Sequence, residues 1–158
     1  RGLGDVYKRQ GYTSINGKDA WTEYSAFLCE DKQDDNFNFG ELLKPLEMKD
    51  YTAVDFRERD GEELPDVLPS PCYKARDVTL YIAVYASTLV EYNTRRAALM
   101  KEIRAGWVNL KVKELPATYR LYYKTATDAK VSADITDGRI VGRWKMKFRE
   151  PKPGLTTE

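Results

Sequence analysis

Between residues 76 and 149 the hydrophobic positions recur mainly at every second residue, the period of a strand. Val78, Leu80, Ile82 and Val84 alternate with Thr79, Tyr81, Ala83 and Tyr85, so even the second face is partly aromatic. That pattern predicts a strand covered in part on both sides. Trp107 to Lys113 places Val108, Leu110 and Val112 on one side, and Tyr119 to Thr125 sets Tyr119, Leu121 and Tyr123 against Arg120, Tyr122 and Lys124. Arg139 to Arg149 gives Ile140, Trp144, Met146 and Phe148 one face and Arg143, Lys145, Lys147 and Arg149 the other. Alternation of this kind predicts antiparallel sheet with one face on a core and one toward water or a partner.

One segment follows another period. Leu89, Tyr92, Leu99, Met100 and Ile103 recur at helical spacing, with Arg95 and Arg96 between them. Thr88 with Glu91 has the form of a capping box and Gly106 supplies a stop, so a helix is expected over 88–105. A short helical turn is expected at Gly40 to Leu43. Glu30 to Phe39 is acidic and turn-rich and reads as an exposed loop; Arg57 to Ser70 reads as a second loop, built around Asp60-Gly61 and Pro65. Arg1 to Gln10 show neither period and resemble a translated adaptor, so an adaptor-derived or disordered extension is expected there. Residues 11–153 then form one β domain and 154–158 a tail.

Composition narrows the chemistry more than the fold. The 158 residues contain no histidine, which removes the commonest general base near neutral pH and the commonest metal ligand. Hydrolase arrangements built on Ser-His or Cys-His are excluded on that ground. The two cysteines, Cys29 and Cys72, form no CxxC and read as buried thiols in a protein made in the cytoplasm. No apolar run reaches the roughly 20 residues of a membrane span, and no GxGxxG, Walker loop or GxSxG is present. Neither a cofactor nor a metal is expected.

Charge is balanced overall but not along the chain. Residues 1–75 hold 10 Lys+Arg and 16 Asp+Glu, whereas 76–158 hold 16 and 9. An acidic half and a basic half suit head-to-tail contacts between copies, unless the strands interleave and mix them. The stripe Arg143, Lys145, Lys147 and Arg149 fits a nucleic-acid groove, edge-strand protection or a solvated face. With net charge only +1, sequence-specific nucleic-acid binding is not expected. The carboxylate pairs Asp34-Asp35 and Glu62-Glu63 lack calcium-loop spacing and sit in loops. Eleven tyrosines with Trp21, Trp107 and Trp144 leave open a carbohydrate-binding β-sandwich as the alternative to a packed core or an interface.

The order of elements carries a resemblance. Ile15-Asn16-Gly17 opens the pattern, Arg76-Asp77-Val78-Thr79-Leu80 begins a long strand and a capped helix follows. Trp107 to Val112 and Tyr119-Arg120-Leu121-Tyr122-Tyr123-Lys124 come next, and a last strand ends at Phe148-Arg149-Glu150-Pro151. Over about 12–153 this resembles the N-terminal, tail-tube-like domain of phage distal tail proteins. The resemblance implies an α+β fold, mainly antiparallel β, as a sandwich or partial barrel flanked by one helix. It also implies a non-catalytic hexameric ring in the virion tail that contacts neighbouring tail proteins, and it is compatible with a monomer in isolation. The second, galectin-like domain of many such proteins is not expected here, which favours a compact distal ring or a tube protomer. Arg143, Lys145, Lys147, Arg149, Asp34, Asp35, Glu62 and Glu63 are the expected intersubunit contacts.

Overall fold

The long alternating runs assemble as their period requires. In a computed structural model, which describes residues 11–29, 37–70, 72–115, 117–133 and 139–153, seven strands form a sheet that curls into a half-barrel. They are β1 (Thr13–Ile15), β2 (Lys18–Asp19), β3 (Ala26–Leu28), β4 (Arg76–Ala86), β5 (Trp107–Val112), β6 (Thr118–Ala133) and β7 (Ile140–Glu150). Their spatial order is β2-β1-β5-β6-β7-β4-β3, and every pairing is antiparallel. Three helices are described: α1 (Ala20–Tyr24), α2 (Phe37–Leu42) and α3 (Leu89–Arg104).

The β4–β7 register generates two faces. Val78, Leu80, Ile82 and Val84 lie opposite Phe148, Met146, Trp144 and Gly142, and all of these but Trp144 are buried. With Val108, Leu110, Val112 and Leu121 they build the core, over which α3 lays Tyr92, Leu99, Met100 and Ile103. Leu89 departs from the expected helical face: at 60% exposure it stands clear of the core. Thr88 caps α3 by accepting from the Glu91 N–H at 3.2 Å. The Glu91 carboxylate turns to Arg95, so the capping box is half made.

Asn16 and Gly17 both have positive φ, the two-residue geometry whose twist matches a tight hairpin between β1 and β2. Asn16 also ties this hairpin to β5, its N–H donating to Asn109 O and its Oδ1 accepting from Asn109 N.

Two expectations change, one about a loop and one about the cysteines. The segment read as loop through Phe39 is helical from Phe37. Phe37 packs edge-on against Tyr81, and Asn38 acts as a substitute strand. Its Oδ1 accepts from the Tyr81 N–H at 2.8 Å and its Nδ2 donates to Cys29 O at 2.7 Å, while the Glu41 carboxylate accepts from the Thr79 N–H. Side chains thus cover the β4 edge where β3 ends, hiding backbone groups that an open edge would present. Neither cysteine is buried as expected: Cys29 is half-buried and Cys72 is exposed.

Arg76 fixes the joint between α2 and the sheet. Its Nε donates to Glu150 Oε1 at 2.6 Å, closing the inner β4–β7 row with a buried ion pair. Its two Nη groups donate to Lys44 O and Leu42 O at 3.1 and 3.0 Å, satisfying carbonyls at the α2 C-terminus.

Candidate assembly interface

The outer face of the sheet carries the basic stripe. β7 lies between β6 and β4, so the stripe belongs to an interior strand and does not protect an edge. Arg149 lies opposite Asp77 on β4 and Tyr122 on β6; Lys147 lies opposite Thr79 and Thr125. Lys145 lies between Tyr81 and Thr127, and Arg143 between Ala83 and Lys130. Arg143 sits 5.1 Å from the Tyr81 ring centroid. Arg149 bonds Asp77 Oδ1 at 2.9 Å, and Lys124 approaches the same oxygen at 3.5 Å across an irregularity in the β6 register. Partial burial pushes the Asp77 carboxyl upward, but the bonds and charges of Arg149 and Lys124 outweigh it and hold the group below its ordinary value.

At the β5 end of the same face, Trp107 and Tyr122 are directly opposed and meet edge to face. Both are well exposed, at 45% and 39%. The Arg120 guanidinium lies 4.1 Å from the Trp107 ring centroid and occupies one face of the indole.

Two further surfaces bear on assembly. β5 pairs with β6 only through Tyr122, and beyond that residue no described strand lies along the other side of β6. That leaves 123–133 as a long edge able to take another strand.

The second surface is an arm, residues 44–70 and 72–75. Its two runs are tied by the isolated bridges Met48–Tyr73 and Val54–Glu63, and Lys74 pairs with Glu47 at its root. Every residue from 54 to 70 is exposed, including Val54, Phe56, Leu64, Val67 and Leu68. Glu62 and Glu63 lie in this arm, and Glu63 pairs with Arg59 at 3.2 Å. Asp34 and Asp35 lie outside the described residues.

A cleft of about 380 Å³ separates the arm root from the sheet, lined by Lys44, Glu47, Lys74, Arg76, Asp77 and Arg149 among others. Its cations are already engaged: Lys44 with Glu41, Lys74 with Glu47, Arg76 with Glu150 and Arg149 with Asp77. Among the described residues no three acidic or cysteine side chains converge as metal ligands.

The fold is similar to the crystal structure of the SPP1 Dit protein, described as a paradigm of the hub adsorption apparatus in Gram-positive-infecting phages. The TM-score is 0.50 at 18% identity, and the match covers 87% of this chain. The chain corresponds to 48% of the Dit chain, about half its length. No family model matches the sequence, and no curated protein does.

Proposed function

We propose that the chain is a structural, non-catalytic component of a phage tail, forming a ring at the distal end of the tail tube alongside neighbouring tail proteins. The observation that carries this reading is the fold shared with a phage hub protein across 87% of the chain. Two features support it. The 123–133 edge of β6 offers backbone groups for pairing across subunits, and the arm presents apolar side chains that its own fold does not cover. The carbohydrate-binding alternative is less favoured, because Arg120 already occupies one face of the Trp107 ring.

The reading is tested by light scattering on size-fractionated protein over a concentration series, with negative-stain imaging of the largest species. A six-membered ring with a central channel is the expected result. A chain that stays monomeric at every concentration and retains a glycan through Trp107 and Tyr122 would replace the tail reading with the sugar-binding one.

A further inference from the structure

One acidic and one basic cluster lie on two distinct surfaces. Residues 55–66, at the arm tip, contain six carboxylates and two arginines, and all are exposed. The outer sheet face carries Lys111, Arg120, Lys124, Lys130 and the β7 stripe. On β7 itself, Lys145 and Lys147 face only Thr and Tyr on both neighbouring strands. A sheet commonly sets opposite charges across from one another; here Asp77 serves Arg149 and Lys124, and none of the residues in register with the two lysines is a carboxylate. Apolar character matches too. The tip adds Val54, Phe56, Leu64, Val67 and Leu68, and the face adds Trp107 and Tyr122.

We infer that the acidic arm tip of one copy docks on the basic outer sheet face of the next copy, with Glu62 and Glu63 against Lys145 and Lys147 and the apolar tip residues against Trp107 and Tyr122. The arm cannot be serving its own sheet, since its tip is exposed throughout. The two surfaces differ, so the contact is heterologous: repeated, it builds a ring if the rotation closes. This rests on the reading that the chain assembles with copies of itself. It assigns which surfaces meet, and the β6 edge remains free for a separate contact. Opposite charges at the rim steer encounter and fix register, and salt weakens them.

The test uses two full-length variants, Lys145→Glu/Lys147→Glu and Glu62→Lys/Glu63→Lys, followed by sedimentation velocity alone and mixed in equal amounts. Each variant alone confronts like charge with like charge and is expected to associate at least about tenfold more weakly than the parent chain. The mixture is expected to recover association, because each variant's arm then meets an oppositely charged face. Circular dichroism checks folding in both variants, since Lys145 is half-buried whereas Lys147, Glu62 and Glu63 are exposed.

Rings that form unchanged in both variants would overturn the contact while leaving the tail-ring reading in place. Loss in both variants without recovery on mixing would overturn the pairing of these two surfaces. A parent chain that does not associate under any condition would overturn the contact together with self-assembly of the isolated chain. If the parent binds a short DNA duplex, the Lys145→Glu/Lys147→Glu variant does not, and association is equal in both, the face belongs to nucleic acid and the inference fails.

Discussion

The sheet with its helices and the arm obey different rules although one chain builds both. In the sheet, Val78, Leu80, Val84, Leu121, Met146 and Phe148 are buried almost completely, and α3 closes over them. In the arm, two isolated bridges hold some thirty residues, and apolar side chains stand in solvent. A segment of that kind gains too little from burial to offset the cost of ordering its backbone, roughly 1–2 kcal/mol per residue. The body is therefore specified by its own core, whereas the arm presents apolar side chains that its own fold does not cover.

The largest expected effect lies at the joint between the two regions. Arg76→Ala would strand the buried Glu150 carboxylate and the carbonyls at the end of α2. A loss of about 3–5 kcal/mol in urea unfolding is expected. A loss within about 0.5 kcal/mol, the range of an ordinary surface substitution, would show that the arm root and the sheet are independent.

Next comes the packing of α3 on β7. A Cβ added at Gly142 would fall 1.8 Å from the Tyr92 hydroxyl and 2.5 Å from its ring carbon Cζ. Gly142→Ala is thus expected to cost about 1–3 kcal/mol by overpacking. Tyr92→Phe gives the control: the hydroxyl is buried and makes no hydrogen bond among the described residues, so its removal is expected to shift stability by less than about 1 kcal/mol in either direction.

Polar substitution of the arm sharpens the comparison from the other side. Replacing Val54, Phe56 and Leu64 with Ser is expected to leave the thermal unfolding of the monomer nearly unchanged, within about 0.5 kcal/mol per site, and to weaken self-association in sedimentation. A large stability loss in the monomer would mean that the arm is part of the core after all.

The smallest effect concerns acid. Asp77 titrates below its ordinary 3.8, so its contacts with Arg149 and Lys124 contribute fully above that value and are lost as pH falls through the lower folded one. Asp77→Asn is expected to remove this part of the acid sensitivity, read as the difference between the two chains' stability–pH curves below pH 4. The contribution is small, because the carboxylate is 41% exposed and solvent screens it.

The legible parts of this fold were those in which local pattern and tertiary fate agree. The inner rows of β4, β5 and β7 and the capped helix α3 follow from period alone. β6 was legible only as far as Thr125, because the alternation of its continuation, ATDAKVSA, is broken at Thr127-Asp128 and is weak in apolar bulk, and its strand form comes from pairing with β7 through two register shifts. α2 was obscured by an acidic, Asn-rich run, and its stability comes from Asn38 bonding β4 backbone 43 positions away. The Arg76–Glu150 pair spans 74 positions, a separation that no local pattern encodes. The basic stripe itself was readable, but its interior place in the sheet required the strand order. The same holds for the arm, whose acidic loop residues were visible while its separation from the core was not.

The most direct test of the difference between core and arm is amide hydrogen exchange, resolved by residue, as the chain passes from dilute to associated. The account predicts rapid exchange across 45–70 in dilute protein, slowing on association, with β4 and α3 slow throughout. Arm amides that are already protected in the dilute chain, or that keep exchanging rapidly after association, would contradict it.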